Sequence, residues 1–423
     1  MDMDKPSIRF KGYTEAWEQR KFSKLVTIER GGSPRPIDKF ITKDVNGLNW
    51  IKIGDAPEQG NYITRTSEKI IPEGLSKTRE VHPGDLILSN SMSFGKPYIM
   101  AIDGCIHDGW LLIRDTQKNF DLKFLCILLG TENMLNQYKA MAAGSTVNNL
   151  NKELVGCTNI SYPSLAEQSK LGEYFEQLDL LITLHQRKCE ETKILKKYML
   201  QNMFPQNGSN IPKIRFNGFT NVWKQRKLGD TLCSLQNNTL SRAELTYEEG
   251  TIKNVHYGDI LVKYGEVIDV KNEQLPNVID NTIAEKYKTS FLQNGDVIFA
   301  DTAEDETVGK CSEIAGLTDE TVLSGLHTIP YRPQLKFATG YLGYYLNSSV
   351  FHQQLIPLMQ GIKVTSISKS AMQNTDIVYP KSFGEQEKIG AYFMHLDRLI
   401  TLHQHKYEEL LKIKEFMLKK MFL

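Results

Sequence analysis

Seam-forming side chains recur at alternating four- and three-residue steps in two stretches of the chain. In residues 167–204 they fall at Leu171, Phe175, Leu178, Ile182, His185, Cys189, Thr192, Met199 and Met203. In residues 385–422 they fall at Ile389, Phe393, Leu396, Ile400, His403, Tyr407, Leu410, Met417 and Met421. This spacing predicts two long helices of coiled-coil type, each about 1.5 Å per residue and so roughly 57 Å long. The series lapses at Lys196 and Lys414, the same place in both copies. These lysines are expected to lay their stems along the seam and keep the ammonium in water, with Leu195 and Ile413 taking up the apolar role. His185 and His403 occupy equivalent seam positions and read first as hydrogen-bonded core histidines, with a pH switch or a metal pair as the sharper alternatives.

Aligned without gaps, the two stretches are identical at 22 of 38 positions. A second repeat lies upstream of each: "PSIRFKGYTEAWEQRKF" from Pro6 and "PKIRFNGFTNVWKQRKL" from Pro212. The chain is therefore a tandem duplication, each copy running arm, variable region, helix. The offset between copies grows from 206 residues at the arms to 218 at the helices, which places the insertions in the variable regions. Two stripes that cannot stay wet most simply bury each other, and a duplicated unit arranged about a pseudo-twofold axis makes that pair antiparallel. The same symmetry predicts that the first arm, near Arg9 and Phe10, lies beside the end of the second helix near Phe422.

Between arm and helix the pattern shifts to short apolar runs bounded by Gly, Pro and Asn. "NWIKIG", "GDLILSN", "GKPYIMAI" and "GWLLIR" read as strands in the first copy, and "GDILVKYG", "GDVIFAD" and "GKCSEIA" in the second. "GDLILSNSMSFGK" and "GDVIFADTAEDETVGK" share Gly-Asp before a strand and Gly-Lys after a loop, and only the loop differs. A constant frame with different loops suits a recognition scaffold, and it also fits ordinary hairpin variation between diverged copies. "GSTVNNLNKELV" and "GIKVTSISKSAM" form a second matched pair, a glycine turn and polar loop leading into a short helix. Their amide, hydroxyl and ammonium groups suit phosphate oxygens and base edges, and are equally common turn residues.

Net charge is only +1, which gives no reason by itself to expect a nucleic-acid partner. Six scattered cysteines without C-x-x-C spacing argue against a zinc site or a disulfide framework and suit a reducing cytoplasm. No apolar leader or long apolar run supports secretion or membrane spanning. Phosphate-loop, dinucleotide, zinc-protease and nucleophile-elbow motifs are absent, as is a Pro-Pro-Tyr tetrad, so no catalytic or metal-binding residue is predicted.

Taken together, the arms, the Gly-Asp strands, the glycine loops, the "YPSLAEQ" and "YPKSFGEQ" joints and the "LDRLITLHQHK" helix resemble the specificity subunit of type I restriction-modification enzymes. The resemblance covers essentially the whole chain. It implies an α+β chain: two pseudo-twofold-related mixed α/β target-recognition domains separated by a long antiparallel helical coiled-coil pair. The corresponding segments are residues 1–166 (arm and first recognition domain), 167–206 (central helix), 207–384 (second arm and domain) and 385–423 (C-terminal helix). It implies a non-catalytic cytoplasmic subunit that reads bipartite double-stranded DNA, one domain per half-site. Two modification subunits and restriction subunits would dock on it, and S-adenosylmethionine, ATP and Mg would belong to those partners rather than to this chain.

The expected DNA-contacting residues are Ser89, Asn90, Ser91, Ser93, Lys96, Ser145, Thr146, Asn148, Asn149 and Lys152 in the first domain. Those in the second are Asp301, Thr302, Lys310, Lys363, Thr365, Ser366 and Lys369, and the partner-docking candidates are Glu190 and Glu408. The rival classes are a protein-binding coiled-coil scaffold and, third, a self-contained DNA-modifying enzyme.

Overall fold

The computed structural model describes residues 5–423 apart from 59, 91–93, 143–149 and 207, and at 283–285 the backbone only. The chain forms two compact units, one made of residues up to Arg187 with His403–Leu423, the other of Lys188–Leu402.

In the first unit a five-stranded sheet runs Thr27–Arg30, Trp110–Arg114, Leu86–Ser89, Pro97–Met100, Tyr62–Ile63, with only the last pair parallel. The second unit repeats that order as Leu232–Ser234, Thr328–Pro333, Val297–Ala300, Cys311–Ala315, Val267–Asp269, again with only the last pair parallel. These strands read as continuous apolar runs because both faces are covered. Leu86, Leu88, Leu111 and Ile113 join a core with the long helices, while Ile87, Trp110 and Leu112 join a separate core on the opposite face. Val297 and Phe299 divide from Ile298 and Ala300 in the same way. Among the described residues each unit also has a second mixed sheet, five-stranded in the first unit and four-stranded in the second.

The Gly-Asp signature has a physical cause. Gly84 and Gly295 hold φ of 95° and 90°, which only glycine adopts without strain. The following aspartates each take a two-pronged arginine from the neighbouring strand, Arg114 on Asp85 at 2.9 and 2.6 Å and Arg332 on Asp296 at 3.0 and 2.7 Å. One Gly-Asp run departs from expectation: "GDILVKYG" is not a strand but a helix, Tyr257–Val262. His256 caps it by accepting from Gly258 N, and buried Asp259 is pinned by Arg242, which leaves Val262 exposed.

The two long helices are Leu165–Asn202 and Phe383–Met421. Each begins with the same three-part attachment to its own domain. Glu167 receives Arg9 of the arm at 2.9 and 2.6 Å, and Glu385 receives Arg215 at 2.7 and 2.9 Å. Both carboxylates are 2% exposed. One residue on, Gln168 accepts from Asp121 N and donates to Asn119 and Pro163 carbonyls, and Gln386 accepts from Ala338 N and donates to Pro380 O. Finally Gly172 and Gly390 let the helix approach: an added Cβ would lie 2.7 Å from Asp121 Oδ1 in one and 2.4 Å from Thr339 O in the other. The repeated E-Q-x-K-x-G is thus a clamp between domain and helix.

Within each unit the start of one long helix runs antiparallel to the end of the other. In the first, Phe175 meets Phe422 with ring centroids 5.7 Å apart, Asp179 meets Lys414, and His185 meets His403. In the second, Phe393 stacks on Phe204 at 5.9 Å and Lys196 pairs with Asp397 at 2.6 Å. The lysines do not snorkel. Each turns inward to the aspartate of the partner helix, and Lys196 also bonds Glu266 at 2.9 Å. Burial lowers the pKa of Lys196, but Glu266 and Asp397 together carry it above its ordinary value. Leu195 is accordingly exposed, whereas Ile413 is partly buried against the core. His185 and His403 bond each other, Nδ1 to Nδ1 at 3.0 Å, so one ring N–H donates and the other ring accepts.

The arms follow the same symmetry. Ile8 N donates to Lys420 O at 3.0 Å and Trp17 packs 6.1 Å from Phe422, matching Ile214 N to Asn202 O at 2.9 Å and Trp223 at 6.4 Å from Phe204. The first arm therefore docks on the end of the second helix as the second arm docks on the end of the first. A circular permutant joining the chain ends by a short linker and opened at Gly208 is expected to fold, with a melting temperature within about 5 °C of the parent by calorimetry. A permutant that fails to show a cooperative transition would contradict the duplicated arrangement.

Candidate nucleic-acid interface

In both units the hairpin after the Gly-Asp strand and the loop before a short helix meet at one backbone junction. In the first, Asn90 N donates to Gly109 O at 2.9 Å and Asn90 O accepts from Leu150 N at 3.0 Å. In the second, Asp301 N donates to His327 O at 3.0 Å and Asp301 O accepts from Ile367 N at 2.9 Å. The hairpins close alike, Gly95 N to Ser89 O and Gly309 N to Ala300 O, both at 2.9 Å. Ser89 thus corresponds to Ala300, Asn90 to Asp301, Lys96 to Lys310 and Lys152 to Lys369. The frame is constant and the side chains are not.

The first junction turns much of its polarity inward. Ser89 and Asn90 are buried; Ser89 Oγ accepts from Lys96 N at 2.9 Å, and Asn90 Nδ2 donates to Asp108 O at 2.9 Å. Lys96 places its ammonium 5.1 Å from the Tyr98 ring centroid. Lys152 opens the short helix Lys152–Gly156, capped by Asn151, with its ammonium 3.8 Å from Glu153. Ser91, Ser93, Ser145, Thr146, Asn148 and Asn149 lie outside the described residues.

The second junction is more open. Thr302–Ala303 and Thr365–Ser366 pair as a two-stranded antiparallel ladder, Thr302 opposite Ser366, so three of the residues singled out from sequence, Thr302, Thr365 and Ser366, come together. Asp301 Oδ1 accepts from Thr302 Oγ1 at 2.7 Å and lies 3.3 Å from His327 Nδ1. Lys363, Ile362 and Val364 are exposed beside the ladder. Lys310 is committed elsewhere, donating to Leu261 and Tyr264 carbonyls at 3.0 Å, and burial lowers its pKa. Lys369 donates to Leu235 O at 3.1 Å. His327 and Tyr257, with rings 5.2 Å apart, also belong to this site and were not anticipated. Aligning "HDGW" with "GLHT" ahead of equivalent strands would have found His327, but its φ of 54° has no sequence signal.

Hydroxyls, a carboxylate and exposed lysines on a paired-loop frame can bond base edges and phosphates. Among the described residues no cluster of three or more His, Cys, Asp or Glu could hold a metal ion, and no helix is long and apolar enough to cross a membrane. The outward-facing candidates of the helices are Glu190, 2.9 Å from Lys193, and Glu408, which accepts from Gln404 at 2.7 Å.

Two copies of one mixed α/β frame, each presenting a variable two-loop junction and clamped to a long helix, define a duplicated recognition protein. The chain belongs to the family of the type I restriction modification DNA specificity domain, whose model matches residues 14–193 and 221–412. It is a DNA sequence-specificity subunit of a type I restriction-modification system. Its fold is similar to that of the type I restriction-modification S subunit from M. genitalium, at 14% identity and a TM-score of 0.57 over 99% of each chain. It is also similar to a chain from a structure of type I R-M complex assembly and conformational transition, at 18% identity and a TM-score of 0.51 over 96% of this chain and 97% of that one.

Proposed function

We propose that each unit reads one half of a bipartite double-stranded DNA site through its loop junction, and that the chain itself is non-catalytic and cytoplasmic. The observation that carries this reading is the junction built twice from the same backbone bonds with different side chains, Asn90 and Gly109 in one copy and Asp301 and His327 in the other. Of the anticipated residues, Thr302, Lys363, Thr365 and Ser366 in the second domain and Lys96 and Lys152 in the first have polar groups positioned to meet DNA; Ser89, Asn90 and Lys310 shape the loops that carry them.

The chemistry belongs to partners: two modification subunits, bringing S-adenosylmethionine, and restriction subunits, bringing ATP and Mg. The outer faces of the long helices offer them both charge and apolar area, with Glu190, Leu195 and Tyr198 exposed in one unit and Glu408 and Phe416 in the other.

Replacing residues 229–378 by the equivalent segment of another family member is expected to change one half of the recognised sequence and leave the other intact, as read by methylome sequencing. Alteration of both halves would contradict independent reading. Reversing charge at Glu190 and Glu408 together is expected to weaken assembly with modification subunits by roughly three- to tenfold without changing sequence preference. Analytical ultracentrifugation showing unchanged assembly would refute that docking face.

A further inference from the structure

Asp301 and Asn90 share their backbone bonds but use their side chains in opposite ways. Asn90 is 3% exposed and spends its amide on Asp108 O. The Asp301 side chain keeps 25% of its surface exposed and accepts from Thr302 Oγ1 on Oδ1, with His327 Nδ1 3.3 Å from the same oxygen. Its other oxygen, Oδ2, has no hydrogen-bond partner among the described residues. The Thr302 bond, with the His327 ring close on the same side, orients the carboxylate, so Oδ2 is a preoriented acceptor at the surface of the junction.

His327 is placed to hold that orientation. It adopts φ of 54°, a strained conformation for a residue other than glycine, and its ring rests edge-on against Tyr257 while its side chain remains 48% exposed. The adjoining ladder aligns Thr302 with Ser366, and exposed Val364 lies beside it. An ionised carboxylate accepts hydrogen bonds and cannot donate. In the major groove its complement is an exocyclic amine, N4 of cytosine or N6 of adenine, whereas the O6 and N7 of guanine and the O4 of thymine would meet it acceptor to acceptor.

We propose that Asp301, oriented by Thr302 and by His327 as a positioning residue, selects a base that presents an exocyclic amino group in the major groove, cytosine or adenine, at one position of the half-site read by the second domain. This rests on the reading that the second domain contacts DNA bases. The test is selection from a randomised double-stranded library by the complex of the full chain with its modification subunits, the second half-site being identified by the segment replacement described above. Asp301→Asn, which keeps the shape and adds a donor, is expected to reduce the preference for cytosine or adenine at one position of that half-site by roughly five- to a hundredfold. The first half-site, unchanged, reports that the complex is folded. His327→Gly, which keeps the backbone and removes the ring, is expected to relax the same position, and His327→Asn, which tolerates the same backbone and retains a donor, to restore it. Glu304→Gln, at an exposed neighbouring carboxylate, is expected to change nothing. If the Asp301→Asn complex does not assemble, the His327 pair decides. Retention of the wild-type preference at every position by Asp301→Asn, or relaxation by Glu304→Gln instead, overturns the proposal. A wild-type complex that selects no sequence at all would instead overturn the underlying reading of the domain, and with it this inference.

Discussion

The architecture turns on a buried carboxylate at the start of each long helix. Glu167 and Glu385 are almost wholly removed from water, and each is neutralised by a two-pronged arginine from an arm more than a hundred residues away in sequence. An ionised carboxylate in such a place costs several kcal/mol unless it is paired, and removing one partner typically costs about 3–5 kcal/mol. The pair therefore specifies where the arm must lie rather than adding much net stability. Once the arm is fixed, its tryptophan reaches the end of the other long helix, and its strand pairs with the one that leads into the joint, Glu18–Lys21 on Asn159–Tyr162 and Lys224–Lys227 on Asp376–Tyr379.

From that anchor the frame is set by contacts that tolerate little change. Gly172 and Gly390 leave no room for a side chain, and Gln168 and Gln386 each bond a backbone donor and one or two backbone acceptors of the domain. At the start of the helices Leu122–Leu129 and Tyr341–Leu346 the two copies solve one problem differently. Asp121 caps Phe124 N in the first. In the second, Gly340 stands at the cap, and Glu313 from the sheet accepts from Gly340 N and Gly343 N at 2.8 and 2.9 Å. Burial pushes that carboxyl up to about 7 against the pull of the backbone donors. The loops, by contrast, meet through backbone hydrogen bonds of Asn90 and Asp301 that do not depend on the side chains at those two positions, so the chemistry there is free to diverge.

The repeated parts were the legible parts. Duplication, the two helices, the antiparallel pairing within each unit and the arm beside Phe422 all follow from self-similarity and a 3.5-residue period. The "GDVIFAD" and "GWLLIR" strands follow from apolar runs that both faces bury. Sequence misled where one cue served two purposes. Gly-Asp precedes strands at Gly84 and Gly295, but at Gly258 the same dipeptide opens a helix, because His256 caps it and Arg242 neutralises Asp259. Lys196 and Lys414 looked like lapses in an apolar seam because their partners, Asp397 and Asp179, lie far off in sequence. At the candidate interface the matched loops were visible, but their meeting through Leu150 and Ile367 was not, and the left-handed backbone of His327 left no trace.

The most direct test of this account is hydrogen exchange on the full chain carrying Glu385→Gln, read against the same chain with Glu167→Gln. If each carboxylate independently locks its own arm, Glu385→Gln speeds exchange across residues 212–227 by roughly tenfold or more and leaves residues 6–22 unchanged, and Glu167→Gln does the reverse. Unchanged protection in the arm that loses its partner, or equal loosening of both arms in either variant, would contradict it.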